Sequence, residues 1–236
     1  MRCQLADFID HVREIYGPDF IPLHRPLFAG DEKQRLLDCV ESNFVSSAGT
    51  LITEFEERVA AYTGIDYAVA TVNGTAAIQV ALRLVGVEPG DEVLTQALTF
   101  VATSNAIAYT GAAPTFIDVD RDTMGLSPAA LITFLEGQTK RSPAGELINR
   151  LSGRRIAAVM PMHTFGHPCH IPEIAEICAD YELPLVEDAA EALGSRLDGR
   201  HIGSHGQMAI LSFNGNKTIT TGGGGAILTN DDALAD

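Results

Sequence analysis

The sequence predicts an α/β domain with a largely parallel sheet, because short β-rich runs alternate with helical stretches from residue 67 onward. Several of these runs are almost continuously apolar, which is typical of parallel strands that helices cover on both faces. No repeat, low-complexity tract or linker interrupts the alternation. We therefore expect one domain over residues 31–236, preceded by an N-terminal helix and extended arm over residues 1–30.

Each predicted element has its own sequence signal. Strands are predicted at residues 67–72, 92–96, 114–119, 155–161, 183–188 and 208–213, and the glycine-flanked run "GGAILTN" predicts one more. The stretches between them that are long enough for a crossover helix are "GTAAIQVALRLVG", "TFVATSNAIAYTG", "SPAALITFLEG" and "IPEIAEICADYE". Residues 138–155 are predicted to form a long surface insertion.

The composition argues against several classes of protein. Acidic residues outnumber basic ones 31 to 16, which opposes sequence-independent binding of nucleic acid because such binding relies on lysine and arginine. The amino terminus lacks the apolar core of a signal peptide, and no run is long and apolar enough to span a membrane. The four cysteines are scattered, without a CxxC pair. We therefore expect a cytoplasmic protein.

Mostly polar residues lie at the ends of the predicted strands or directly after them. Parallel sheets bind ligands in the crevice at the carboxyl ends of their strands, so these residues are expected to line one edge of the sheet. They are Asn73, Gly74, Thr75, Phe100, His163, Asp188, Ser212 and, five positions after Ser212, Lys217.

Each feature has a simpler structural explanation when it is taken alone. The "NGTAA" segment suits a phosphate at a helix amino terminus, but an N-cap at Asn73 or Thr75 explains it better by itself. Asp188 ends an apolar strand, where a carboxylate needs a cation or several donors, or else it caps the next helix. Phe100 would by default belong to the core, and Ser212 to a turn. The chain has no GKS or GKT, which argues against a nucleoside-triphosphate P-loop.

The combination indicates one cofactor, pyridoxal 5'-phosphate. Its aldehyde requires a lysine for a Schiff base, its pyridine nitrogen a carboxylate, and its phosphate a helix amino terminus. Lys217, Asp188 and the segment around Thr75 supply these groups. A carboxylate beside the ring nitrogen favours the protonated ring, which then acts as an electron sink.

Several long motifs run in a fixed order from about residue 21 to the end of the chain. They include "VNGTAAIQVALRLVGVEPGDEVLTQALTFVATSNAI", "VMPMHTFGHP", "VEDAAEALGS" and "LSFNGNKTITTGGGGAI". In this order they resemble the DegT/DnrJ/StrS family of sugar-nucleotide aminotransferases, which have the aspartate-aminotransferase fold. The resemblance implies a three-layer αβα large domain with a mainly parallel mixed sheet. It also implies transamination from glutamate to the keto group of a nucleotide-linked sugar.

The resemblance assigns roles by motif position. Lys217 matches the Schiff-base lysine and Asp188 the partner of the pyridine nitrogen, so these two are the expected catalytic residues. The expected phosphate contacts are Gly74, Thr75, Ala76 and Ser212, and Phe100 matches the aromatic residue that stacks on the ring. Glu191 stands where the family more often has glutamine or histidine, near the ring oxygen or the phosphate of the cofactor.

A narrower resemblance concerns the substrate. "IPLHRP", "NFVSSAG", "PMHTFGHPCHI" and "FNGNK" are most similar to the branch that aminates UDP-4-keto-6-deoxy-N-acetylhexosamines, on pathways to bacillosamine- and legionaminic-acid-type sugars. Relatives continue into a smaller carboxyl-terminal domain and complete their sites with a second subunit. We therefore expect this chain to be the large domain of a longer, homodimeric enzyme.

Other functions remain open at the level of sequence. The segment from His163 to Cys178 contains histidines and cysteines, but their spacing is not a recognised zinc pattern, so we expect no metal. We expect His163, at a strand end, to contact cofactor or substrate. Relatives that carry out dehydration have histidine at the lysine position, which Lys217 argues against. The alternatives are a catalytically inactive or regulatory relative that binds the cofactor and, less favoured, a metal-binding protein that uses the segment from His163 to Cys178.

Overall fold

A mixed sheet with helices on both faces forms the body of the computed structural model, which describes residues 2–22, 24–43, 46 and 49–236. The strands are β1 (Tyr67–Thr71), β2 (Glu92–Gln96), β3 (Ala113–Ile117), β4 (Thr139–Arg141), β5 (Leu147–Asn149), β6 (Ile156–Val159), β7 (Val186–Asp188), β8 (Arg196–Leu197), β9 (Arg200–His201), β10 (Met208–Ser212) and β11 (Gly225–Thr229). The helices are α1 (Arg2–Tyr16), α2 (Glu32–Glu41), α3 (Thr50–Thr63), α4 (Gly74–Leu84), α5 (Val101–Tyr109), α6 (Pro128–Gln138), α7 (Ile171–Tyr181) and α8 (Asp232–Ala235). A short 3₁₀ helix spans Thr164–Gly166.

The central sheet has the strand order β1-β11-β10-β7-β6-β2-β3. Regular ladders form a four-stranded part and a three-stranded part, and the parallel bridges Val159–Leu185 and Met162–Asp188 join them between β7 and β6. Strand β11 is antiparallel to both β1 and β10, whereas the other neighbours are parallel. The predicted mainly parallel mixed sheet is therefore confirmed.

Two apolar clusters lie on opposite faces of this sheet, because successive strand side chains point to opposite sides. In β11, Ala226 and Leu228 belong to one cluster and Ile227 to the other. Helices α3, α6 and α7 contribute buried residues to the first cluster, and α4 and α5 to the second. This arrangement confirms the predicted three-layer αβα fold.

Local sequence signals explain where individual helices begin and end. Ser127 caps α6 by accepting a hydrogen bond from the amide of Ala130, and Pro128 occupies the first turn, where its missing N–H has no cost. Helix α3 ends at Gly64, whose φ of 73° is left-handed and suits glycine.

Some details differ from the expectation. The predicted surface insertion contains the hairpin β4–β5. The strand predicted at residues 183–188 is regular only from Val186, because Leu185 pairs with Val159 through an isolated bridge. The predicted N-terminal helix is present as α1, while the domain boundary after residue 30 stays a prediction.

Residue 23 of "IPLHRP" and four positions of "NFVSSAG" (44, 45, 47 and 48) lie outside the described residues. Among the helices that the structure describes, none has the length and apolar character needed to cross a bilayer.

Candidate active site

A pocket of about 460 Å³ opens at the edge of the sheet where β7 and β10 end and α4 and α5 begin. The predicted site residues that line it are Gly74, Thr75, Phe100, Asp188, Ser212 and Lys217. Residues from distant segments thus converge at the carboxyl edge, as expected for parallel strands. Their individual roles stay predictions.

The amino terminus of α4 borders the pocket. Asn73 is its N-cap, and its side-chain oxygen accepts a hydrogen bond of 2.8 Å from the amide of Ala76. That bond occupies the Ala76 amide, which was expected to contact phosphate. Thr75 lies in the first turn, where amides have no acceptor within the helix, so its N–H suits an anion. Capping and the predicted anion binding would therefore use different N–H groups of the same turn.

Close packing of the backbone holds Ser212 and β11 against α4. A Cβ atom at Gly74 would lie 3.0 Å from Cβ of Ser212. A Cβ atom at Gly225 would lie 2.5 Å from the carbonyl carbon of Asn73 and 2.7 Å from the amide nitrogen of Gly74. Position 225 therefore requires glycine for β11 to approach the first turn of α4, and at Gly74 a side chain would be tightly packed against Ser212.

Asp188 is a buried carboxyl group at the end of β7, with 3 % of its surface exposed. Its Oδ2 accepts a hydrogen bond of 2.7 Å from the Thr103 hydroxyl, and its Oδ1 accepts one of 3.2 Å from the amide of Ala190. Burial raises the pKa of Asp188, although these hydrogen bonds and the positive charge of Lys217 act in the opposite direction. A ligand that brings a positive N–H group would offset the cost of burial.

Lys217 lies in the loop between β10 and β11. The loop folds back through hydrogen bonds from the amide of Phe213 to the carbonyl of Gly224 (3.0 Å) and from the amide of Thr221 to the carbonyl of Phe213 (3.0 Å). Lys217 Nζ lies 2.9 Å from Oε1 of Glu191 and 5.9 Å from the ring centroid of Phe100. The lysine thus reaches the pocket beside an exposed aromatic ring.

Glu191 contacts Lys217 from beside the pocket. It lines a second cavity of about 190 Å³, whose other lining residues include Phe100 and Phe165. The predicted contact of Glu191 with the ring oxygen or phosphate of the cofactor stays a prediction. Its contact in this structure is the lysine.

His163 is fully buried and is not among the residues that line the pocket, so its expected contact with substrate or cofactor stays a prediction. Its Nε2 lies 3.0 Å from Oε2 of Glu187, and its Nδ1 accepts a hydrogen bond of 3.3 Å from the amide of Cys169. The position of His163 after a strand end is as predicted. Its side chain, however, packs into the interior. The alternation of side chains along a strand does not extend into the irregular turn that follows, so the sequence does not show which way this side chain points.

Two functional candidates were missed by the sequence analysis. Thr103 is fully buried in α5 and donates to Asp188, although it looked like an ordinary helix residue. Glu187 is fully buried and accepts hydrogen bonds from His163 and from three backbone amides, those of Gly203, His205 and Gly206. Its one visible signal was a second carboxylate in the apolar run "LVED".

The segment from His163 to Cys178 does not gather a metal site of its own among the described residues. The group of potential ligands found there is Asp120, Asp122 and His170, which takes only His170 from that segment. His170 already lies 3.0 Å from Asp122, and all three side chains are partly exposed, as in an ordinary surface ion pair. Burial raises the pKa of the Cys178 thiol to about 12, which disfavours the thiolate that binds metals.

Comparison with known proteins shows one family. The sequence model of the DegT/DnrJ/EryC1/StrS aminotransferase family matches residues 27–236. The chain is 38 % identical to GDP-perosamine synthase of Escherichia coli O157:H7 over 217 residues, which are 92 % of this chain and 55 % of the relative. It is 41 % identical over 213 residues to EpsN of Bacillus subtilis (strain 168), described as a putative pyridoxal phosphate-dependent aminotransferase. The matched residues are 90 % of this chain and 52 % of EpsN.

Comparison of the fold with solved structures also finds a sugar-nucleotide enzyme. A crystal structure of DesI in the presence of its TDP-sugar product superimposes with a TM-score of 0.77 and 33 % identity, over 90 % of this chain and 49 % of DesI. The chain spans about half the length of the curated relatives it matches.

Proposed function

Because this chain belongs to the DegT/DnrJ/EryC1/StrS aminotransferase family, we propose that the protein transfers an amino group from glutamate to the keto group of a nucleotide-linked sugar. The observation that carries the proposal is the convergence of Asp188 and Lys217 on one pocket at the amino terminus of α4. The family's cofactor is pyridoxal 5'-phosphate, so the first question is whether this pocket fits it.

The residues of the pocket fit the cofactor. Asp188 is a buried carboxyl group with no cationic partner within hydrogen-bonding distance among the described residues, which suits a protonated pyridine nitrogen. The first turn of α4 and the Ser212 hydroxyl suit a phosphate. Phe100 offers an exposed aromatic face next to them, and Lys217 supplies the amine. Among the described residues, the charged side chains that line the pocket are Asp188 and Lys217, and both have a role in these assignments.

When bound, pyridoxal phosphate supplies an electron sink for the C–H bond that breaks next to the amine. Lys217 Nζ would hold the cofactor covalently and, once released, would act as general base towards the donor's α-carbon and as general acid towards the cofactor's aldehyde carbon. Asp188 would hold the ring nitrogen in its protonated form, because an adjacent negative charge favours the cation. Thr103 would keep Asp188 ionised by donating to Oδ2.

The finer proposal concerns the acceptor, a UDP-4-keto-6-deoxy-N-acetylhexosamine. Its support is the resemblance of "PMHTFGHPCHI" and "FNGNK" to the branch with that activity. Two of the relatives are described with other nucleotides, GDP for the perosamine synthase and TDP for the product of DesI. The nucleotide of the acceptor sugar therefore distinguishes the finer proposal from these alternatives.

A substrate panel tests both levels of the proposal. The full-length protein is incubated with pyridoxal phosphate, glutamate and the UDP-, GDP- and TDP-linked 4-keto-6-deoxy sugars, and amino sugars are detected by mass spectrometry. We expect amination that depends on both glutamate and cofactor, with the UDP-linked N-acetylhexosamine turned over fastest. Amination of the GDP- or TDP-linked sugar alone would reject the finer proposal. A colourless protein that aminates none of them would reject the whole.

A further inference from the structure

Lys217 faces two carboxyl groups, and in this structure it pairs with only one of them. Its Nζ lies 2.9 Å from Glu191, and the two side chains are 10 % and 23 % exposed. Asp188 lines the same pocket as Lys217, but its two oxygens accept from Thr103 and Ala190 instead. These are the charged side chains that the described part of the site brings around the lysine.

The turn after β7 fixes where Glu191 stands. The Ala190 amide donates to Oδ1 of Asp188, and the Ala192 amide donates to the carbonyl of Ala189 at 2.9 Å. On the other side, Gly166 packs so closely that a Cβ atom there would lie 2.4 Å from the carbonyl oxygen of Glu191. Hydrogen bonds and close packing therefore hold the backbone of Glu191 on the same turn as Asp188.

Without Glu191, Asp188 would be the alternative partner of the lysine. A buried carboxylate is stabilised by any nearby cation, and Lys217 already acts favourably on Asp188 through space. A direct pair between them would occupy the carboxylate that the ring nitrogen of the cofactor needs. It would also draw the amine deeper into the pocket.

We propose that Glu191 is a positioning residue that holds the Lys217 amine at the margin of the pocket and so keeps Asp188 free for the cofactor. This inference rests on the proposed function, because it assigns Asp188 to the cofactor. Glu191 acts through Lys217 and needs no contact with the phosphate, which explains how a carboxylate is tolerated in a site that binds a phosphorylated ligand.

The test uses the full-length protein freed of cofactor. Lys217 is labelled with a bulky, charged N-hydroxysuccinimide ester, and its modification is followed by peptide mass spectrometry. In Glu191→Ala we expect roughly fivefold slower labelling, because the amine moves to Asp188 and away from the margin. In the double variant Glu191→Ala/Asp188→Asn we expect the wild-type rate to return. Glu176→Ala, which removes an exposed carboxylate of α7, is the matched control and should label like wild type.

Pyridoxal phosphate is the second probe. Borohydride trapping at Lys217 measures how fast each protein captures it, and we expect Glu191→Ala to capture roughly fivefold more slowly than wild type. If the alanine variant does not fold, as judged by circular dichroism, Glu191→Gln replaces it because it keeps the volume of the side chain.

The outcomes separate this inference from the proposed function. Labelling of Glu191→Ala at or above the wild-type rate would overturn the inference, and so would a double variant that stays slow, because then the structure of the turn alone would be responsible. Failure of the wild-type protein to capture pyridoxal phosphate would instead overturn the proposed function, whatever the labelling rates are.

Discussion

At the scale of single residues, the pocket depends on how its few charged groups are solvated. Asp188 is almost completely buried, whereas Lys217 and Glu191 keep some contact with solvent. A charge in such a place is maintained by its hydrogen-bond donors, and each donor therefore affects the chemistry of the site. For Asp188 the side-chain donor is Thr103.

Thr103→Val is expected to weaken cofactor binding by roughly tenfold, because a hydrogen bond to a charged group contributes about 1.5–3 kcal/mol. The hydroxyl lowers the pKa of Asp188, so its loss raises that pKa further and disfavours the carboxylate. Absorbance titration of the full-length protein with pyridoxal phosphate measures the effect. Thr133→Val removes a hydroxyl from an exposed helical position and should leave the affinity for pyridoxal phosphate unchanged. Equal affinities in the two variants would contradict the role of Thr103.

Lys217→Ala is expected to reduce turnover of the full-length protein by at least about 100-fold, because the site loses its amine and its general base. Some non-covalent cofactor should remain bound through Asp188 and the first turn of α4. Steady-state assays and borohydride trapping measure the two effects, with the exposed Lys140→Ala as control. Turnover at the wild-type rate would show that Lys217 is not the reacting lysine.

At the scale of elements, the site depends on close contacts between backbone segments. The first residue of β11, Gly225, pairs with Thr71 of β1 and with Ser212 of β10 and touches the start of α4. The turn after β9 is held by hydrogen bonds instead, because its backbone amides donate to the buried carboxylate of Glu187. Both contacts lie next to residues that line the pocket.

Gly225→Ala is expected to lower the free energy of unfolding by about 1–3 kcal/mol, because the added Cβ meets backbone atoms that cannot move independently. It should also weaken cofactor binding by displacing the first turn of α4. Gly137→Ala is the matched control, since no atom lies within 4 Å of a Cβ there and alanine favours a helix by about 0.5–1 kcal/mol. Urea denaturation compares the two, and equal stabilities would refute the steric argument.

Glu187→Gln is expected to lower the free energy of unfolding at pH 7 by about 3 kcal/mol or more, since it removes a buried charge that accepts hydrogen bonds from His163 and three backbone amides. Burial by itself raises the pKa of Glu187, but the bonds from His163 and the backbone amides outweigh it and lower the pKa below 4.5. The stabilisation by Glu187 is therefore complete above about pH 4.5 and is lost as the pH falls through the lower, folded-state pKa.

Urea denaturation between neutral and acidic pH measures this difference. The wild-type protein should lose more stability than Glu187→Gln below about pH 4.5, while Glu57→Gln, at an exposed position, should follow the wild type. Identical pH profiles of wild type and Glu187→Gln would mean that Glu187 is not ionised in the folded protein.

At the scale of the whole molecule, the two apolar clusters account for the packing of the sheet, but they leave large apolar side chains exposed around the pocket. Examples are Val72, Phe100, Phe165 and Ile219, each more than half exposed. Phe165 is also held at a φ of 53°, which is uncommon for a bulky residue. Phe100 and Phe165 line the same cavity, and exposed apolar side chains that lie together are typical of an interface.

We therefore expect the full-length protein to be a homodimer, as the family resemblance implies, with this surface at or near the interface. Light scattering coupled to size-exclusion chromatography measures the mass at micromolar concentration. Phe165→Ser should shift the equilibrium towards monomer, whereas Leu151→Ser, at an exposed position in the turn after β5, should not. A wild-type monomer would contradict the expectation.

The sequence by itself determined the layers of the fold, the edge of the sheet at which the pocket opens and the identity of the lysine and aspartate at that edge. These follow from local periodicity, from strand ends and from motifs that are continuous in the chain. Only the tertiary structure decided which side chains face the pocket, because that depends on packing between segments far apart in sequence. His163 packs inward and contacts Glu187, and Thr103 donates a hydrogen bond to Asp188. Glu191 pairs with Lys217, 26 residues further along the chain.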